Sequence, residues 1–187
     1  MRQAERAGDD RGRWYRAAGL SLALALGLGG CSAAAPPAAQ EPARSAPIVR
    51  GPAPFYEFTA LDGSKISSDA SLGRNTVIAF LTSYGGSSQA QARFLNGVAH
   101  DHAPRTNCYA IFTERPENRP LIEMFVEVLK LRLPVAQVDY AELKGGPFAN
   151  VLAVPTVIIL DRGGHIAWRK DALATQDEIE KVLRTLE

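Results

Sequence analysis

At 187 residues, 46% hydrophobic and 22% charged, the chain is long enough for one ordinary core and short for two. The formal charge is +1, yet residues 1–30 hold Arg2, Arg6, Arg11, Arg13 and Arg16 against Glu5, Asp9 and Asp10; the remainder carries 16 basic and 17 acidic residues, which offers no electrostatic footprint for nucleic acid. With only two cysteines, Cys31 and Cys108, a disulfide framework is excluded.

The first element is an address. Arg11, Arg13, Trp14 and Arg16 precede an uncharged apolar run from Ala17 to Leu28, the layout of a secretory signal peptide over residues 1–30. The run is about a dozen residues, whereas spanning hydrocarbon as a helix takes roughly twenty, so a permanent transmembrane helix is the weaker reading. Leu28-Gly29-Gly30-Cys31 closes the run and resembles the lipobox of bacterial lipoproteins. The resemblance implies that Cys31 is diacylated and becomes the new N-terminus, which would fix the protein to a membrane, since two acyl chains hold where one does not. Ser32 after the cysteine implies outer-membrane sorting, facing the periplasm of the bacterial cell envelope. The alternative is plain cleavage near Ala33 to Ala35 with Cys31 discarded. Lipidation would leave Cys108 the lone thiol.

Residues 31–53 are rich in Ala, Pro and Ser, with Pro36, Pro37, Pro42, Pro47 and Pro52 and no periodic apolar pattern, and read as a tether. A flexible coil of that length averages about 25 Å end to end.

The folded domain is expected over 54–187. Phe55, Tyr56, Phe58 and Leu61 lead into Asp62-Gly63, a tight turn into Lys65-Ile66, so a short hairpin opens the domain. Thr76 to Leu81 is a continuous apolar, β-branched run expected of a strand buried on both faces. After Thr82-Ser83-Tyr84-Gly85-Gly86-Ser87-Ser88, a helix is predicted from Gln89 to about His100, with Ser87 or Ser88 as its N-cap. Asn107 to Phe112 predicts a second buried strand, and Asn118 with Pro120 opens a helix through Leu131. A strand over Leu133 to Val138, a weak helix over Ala141 to Asn150 and a strand over Pro155 to Leu160 follow. Asp161-Arg162-Gly163-Gly164 then turns into His165 to Arg169, and Thr175 with Glu178 forms a capping box for a last helix. This alternation predicts an α/β domain.

From Pro54 to Glu187 the chain resembles the thioredoxin-like redoxins, in particular membrane-tethered thiol-disulfide reductases and their peroxiredoxin cousins. The resemblance rests on the hairpin Phe55 to Gly63, on Val77 to Tyr84 leading to a loop, on Val154-Pro155-Thr156 and on the closing hairpin Ile159 to Ile166. It implies a three-layer fold, a central mixed sheet flanked by helices and preceded by an N-terminal hairpin. It also places the family's catalytic Cys-x-x-Cys on Gly85-Gly86-Ser87-Ser88, where both cysteines are missing. Disulfide exchange needs a thiolate at a helix N-terminus, which neither Gly85 nor Ser88 supplies. The peroxiredoxin variant fails likewise, since Gly85 stands where its cysteine would be.

The remaining candidates have plainer readings. Cys108 lies in an apolar strand, where cysteine behaves as a small hydrophobe. His100-Asp101-His102 reads as a solvated helix end rather than a metal site, and no cofactor is expected. The resemblance implies that Pro155 is cis and that Val154 presents its backbone beside the Gly85-Gly86-Ser87 loop, in a cleft lined by Tyr84 and Pro155 that could pair with an extended peptide. Three functions remain open: a binding module for an envelope protein or peptide partner, with the membrane reached through lipid on Cys31; a thiol-disulfide oxidoreductase or peroxiredoxin-class enzyme by family membership; and a structural envelope component.

Overall fold

The computed structural model describes residues 51–187; the expected signal peptide, Cys31 and nearly all of the expected tether lie outside the described residues. Strand β1 (Glu57–Thr59) pairs antiparallel with β2 (Lys65–Ser67), with Phe58 opposite Ile66. Gly63 takes a left-handed φ of 84° in the connecting turn, and Asp62 accepts hydrogen bonds from the Ser64 amide and hydroxyl at 2.9 and 2.7 Å. A single helical turn, α1 (Ser68–Ser71), follows, capped by the Ser67 side chain.

The central sheet has the order β5-β4-β3-β6-β7. Strands β3 (Asn75–Leu81), β4 (Thr106–Thr113) and β5 (Val135–Val138) are mutually parallel, whereas β6 (Thr156–Leu160) runs antiparallel to β3, and β7 (Ile166–Lys170) antiparallel to β6. Helix α2 (Gly86–His102) joins β3 to β4, and α3 (Arg119–Leu129) joins β4 to β5 after a 3-10 turn at Pro116–Asn118. One turn, α4 (Tyr140–Leu143), follows β5, and α5 (Gln176–Thr185) closes the chain.

Side chains alternate across each buried strand, which splits the core in two. Val77, Ala79 and Leu81 of β3 with Cys108, Ala110 and Phe112 of β4 meet Leu95 of α2, Ile122 and Phe125 of α3, and Ile179 and Leu183 of α5. On the other face Ile78, Phe80, Tyr109, Ile111 and Ile158 pack under the hairpin residues Tyr56 and Ile66 and under Leu143, Phe148 and Val151. Phe148 is the keystone there, with ring centroids 5.1 Å from Phe80 and 5.6 Å from Tyr56. This is the thioredoxin-like α/β fold expected, a mixed five-stranded sheet flanked by helices.

Local departures from the expected elements have identifiable causes. Helix α2 begins at Gly86 rather than Gln89, with Gly85 in the N-cap position and no side-chain cap. Neither Ser87 nor Ser88 caps it, because Ser88 is one turn inside and turns into the protein. Helix α3 stops at Leu129 because Lys130 adopts the left-handed conformation, φ 51°, and sends its amide back to Glu127 and Val126. The weak helix expected over Ala141 to Asn150 shrinks to α4, since Gly145, Gly146 and Pro147 cannot sustain it. Thr175 and Glu178 form the capping box in both directions.

Candidate functional site

In an open α/β sheet the crevice beyond the carboxyl ends of the strands, where strand order reverses, is the natural place for a ligand. Here the reversal falls at β3, which has β4 on one side and β6 on the other. A cleft of about 650 Å³ opens at that place. Its walls come from Thr82 and Tyr84 after β3, from Thr113 to Arg115 and Asn118 after β4, from Asp139 to Ala141 and Lys144 after β5, and from Val151 to Val154 before β6.

Two apolar side chains stand out into solvent at its rim, Tyr84 and Leu152, each 76% exposed. Tyr140 stands near them with the Lys144 ammonium 4.9 Å above its ring, a cation–π contact. Leaving such side chains exposed gives the cleft apolar contact area that folding has not used.

The loop bearing Tyr84 is held from below by a carboxylate. Glu114, at the end of β4, is 4% exposed, and burying a charge is costly unless donors surround it. Three do: the Ser83 amide, the Ser83 hydroxyl at 3.1 Å and the Asn118 side-chain amide at 2.8 Å. Gln137 of β5 donates to the Arg115 carbonyl at 2.6 Å, which ties the same turn to the sheet. On the opposite wall Thr156 donates to the Ala153 carbonyl at 2.7 Å and to Asp171 at 2.9 Å, and Arg169 bonds both Asp171 and the Asn150 carbonyl. Burial raises the pKa of the Asp171 carboxyl, but the bonds from Arg169 and Thr156 outweigh it and hold the group below the usual carboxylate value. The Val154–Pro155 peptide is cis, as is Ala103–Pro104.

Of the residues expected at the site, Tyr84 and Val154 line the cleft, whereas Pro155 is buried and Gly85, Gly86 and Ser87 lie outside its lining, at the start of α2. The geometry of that start is informative. Ser88 is buried and its hydroxyl accepts the Thr82 amide at 3.1 Å. A Cβ placed on Gly85 would lie 3.7 Å from the Ser88 Cβ and 3.2 Å from the Thr82 hydroxyl, a tight fit that only a slight shift of Thr82 need relieve. A Cβ separation of 3.7 Å sits inside the range that a disulfide spans. The loop therefore has the spacing of a dithiol pair and the side chains of neither partner.

Cys108, the one cysteine among the described residues, is 5% exposed in the middle of β4, opposite Val77. Burial pushes its thiol from 9.0 up to about 12, so it stays protonated at neutral pH. It faces the core packed by α2, and nothing brings it to the cleft. His100, at the far end of α2, places Nδ1 2.8 Å from Asp101.

Glu114 and Asp171 went unread in the sequence, and Ser83 and Asn118 were read only as a loop residue and a helix start. Glu114 is a single acid after an apolar strand, and its donors come from 31 residues before it and four after it, a pattern that no short motif announces.

No protein-family profile matches the chain. No curated protein matches it either. Among solved structures it is similar to StoA from Bacillus subtilis, at 19% identity and a TM-score of 0.58, covering 73% of this chain and 98% of that one. A DsbF homologue from Corynebacterium diphtheriae superposes with a TM-score of 0.65 at 16% identity, over 73% of this chain and 87% of its own. A secreted Mycobacterium tuberculosis disulfide oxidoreductase, homologous to E. coli DsbE, gives 0.60 at 20% identity, over 71% and 96%. At such identities the likeness establishes the shared thioredoxin-like fold.

Proposed function

We propose that the protein is a lipid-anchored bacterial envelope protein whose thioredoxin-like domain is redox-inactive and binds an extended peptide or protein segment in the cleft between Tyr84 and Val151–Val154. The observation that carries this reading is the start of α2: a pair of positions with disulfide spacing, filled by Gly85 and Ser88, beside a cleft whose apolar rim is left exposed. A thiol-free loop cannot exchange disulfides, but the recognition surface beside it needs no thiol. Backbone groups of Leu152 to Val154 and the faces of Tyr84 and Tyr140 supply what a bound strand requires, main-chain partners and side-chain pockets.

The anchoring half of the reading rests on Leu28-Gly29-Gly30-Cys31. Cys31→Ala is expected to move the protein from the detergent-rich to the aqueous phase in a detergent partition, and equal partitioning of both forms would remove the lipoprotein assignment.

A second reading, a thiol-disulfide oxidoreductase, is favoured by the fold shared with proteins named disulfide or thiol-disulfide oxidoreductases. An insulin-reduction assay in the presence of dithiothreitol separates the two. The wild type is expected to match buffer. Robust turnover that disappears in Cys108→Ser would establish the enzyme instead.

A further inference from the structure

Helix α3 is apolar on more sides than its core contacts require. Ile122 and Phe125 are buried, yet Leu121, Met124 and Val128 are 46%, 56% and 70% exposed. Their spacing of three and four places them on one stripe, where a surface helix ordinarily turns polar residues to solvent. The stripe is one wall of a groove of about 270 Å³, floored by Phe125 and Leu129 and closed on the α2 side by Gln89 and Arg93.

The groove leads into a second hollow, lined by Arg93, Asn96, His100, Lys130 and Arg132 among others, with no acidic side chain in its lining. Arg93 belongs to both. The shape of the hollow is fixed: Asn96 on α2 accepts the Arg132 amide at 2.8 Å and donates to the Lys130 carbonyl at 3.5 Å, clamping the turn after α3 against α2. None of the salt bridges between described residues involves Arg93, Lys130 or Arg132, while His100 is turned to Asp101. Three cations therefore gather at one end of an apolar groove.

We propose that this groove receives one amphipathic helix of a partner protein, with its apolar face along Leu121, Met124 and Val128 and acidic side chains at one end over Arg93, Lys130 and Arg132. Charge complementarity selects an acidic partner end, and the exposed ridge between two helices offers the groove into which a third helix packs its own ridge. An anionic bilayer shares the charge preference, but a concave groove takes inserted side chains better than it meets a lipid surface. The groove adjoins the cleft at Tyr84, which lines both, whereas Leu152 lines the cleft alone and Val128 the groove alone.

The test uses the full chain in nanodiscs of neutral phosphatidylcholine and two designed amphipathic peptides with identical leucine faces, one ending in glutamates and one in lysines, read by fluorescence anisotropy. The glutamate peptide is expected to bind about tenfold more tightly than the lysine peptide. Val128→Asp should weaken it by about tenfold, and Arg93→Glu with Lys130→Glu should reverse the preference between peptides. These positions are exposed, and circular dichroism checks that the variants keep the fold. Equal binding of both peptides, binding of neither, or indifference to these variants would overturn the proposal. So would loss of peptide binding when the discs are made with phosphatidylglycerol, which would assign the face to the membrane. Leu152→Asp is expected to leave peptide affinity unchanged; an effect at Leu152 with none at Val128 would sink this site and leave the cleft reading standing.

Discussion

Gly85 and Cys108 occupy opposite kinds of ground. Gly85 sits at the open N-terminus of a 17-residue helix, where unpaired backbone amides favour a negative charge and where a thiol would ionise readily. Cys108 sits inside the sheet, where burial pushes its thiol up to about 12 and no reactant can approach. One place has the environment for sulfur chemistry without the sulfur, and the other has the sulfur without the environment. The fold needs neither, because the sheet is held by its alternating apolar strands. Scaffold and chemistry are thus separable in this chain, and each prediction below strains that separation.

The largest effect is expected from putting the missing atoms back. Gly85→Cys with Ser88→Cys should give a domain that forms an internal disulfide and speeds insulin reduction by at least about tenfold over the wild type, since a helix-start thiol is the reactive kind. Non-reducing and reducing mass spectra would show the bridge as a loss of two hydrogen atoms, two protons and two electrons given up to the oxidant. A double variant that folds but never bridges would mean the 3.7 Å spacing does not persist in solution.

Next comes the carboxylate beneath the loop. Glu114→Ala strands the Ser83 amide and the Asn118 side chain and should cost about 1.5–3 kcal/mol in urea unfolding, as buried charge-assisted bonds do. Lys65 and Glu57, an exposed pair 3.0 Å apart, give the contrast: Glu57→Ala should cost under about 0.5 kcal/mol. Comparable losses at both sites would show that Glu114 is far more solvated than its 4% exposure implies.

A smaller effect tests the region most legible in the sequence. Thr175→Ala removes the hydroxyl that accepts the Glu178 amide and should cost about 1 kcal/mol. The capping box, the Asp62-Gly63 turn and the buried strands could be read because each is written in adjacent residues whose chemistry has one local use. The start of α2 could not. Two serines in a row before a helix read as caps, but the Thr82 amide, left over at the end of β3, draws the Ser88 hydroxyl inward and leaves the cap to Gly85. Family resemblance pointed to Tyr84 and Val154, which line the cleft, whereas the roles of Glu114 and Asp171 in holding its walls could not be read, because their partners are assembled by the sheet rather than by the chain. The apolar run of α3 concealed its own exposed stripe: Leu121, Met124 and Val128 look like core until the sheet buries Ile122 and Phe125, takes Val126 and Leu129 in part, and leaves these three outside.

The smallest prediction concerns the buried thiol, and here the sign can be worked out. Cys108 ionises near 9.0 when the chain is unfolded and near 12 when folded, so the folded state keeps its proton over a range in which the unfolded state has lost it. Stability is therefore fully present below pH 9 and declines as pH rises toward 12, because unfolding then releases a proton. Between pH 8 and 9.5 the decline should stay under about 1 kcal/mol. Tyr56 acts in the same direction, raised by burial from 10.0 to about 12, so its share enters later. Guanidinium midpoints measured across this range for the wild type and for Cys108→Ala would separate the two. The variant should start less stable, having lost a packed sulfur, and should show the shallower slope. Parallel slopes would mean that Cys108 reaches water in the folded protein, and the contrast between its site and that of Gly85 would collapse.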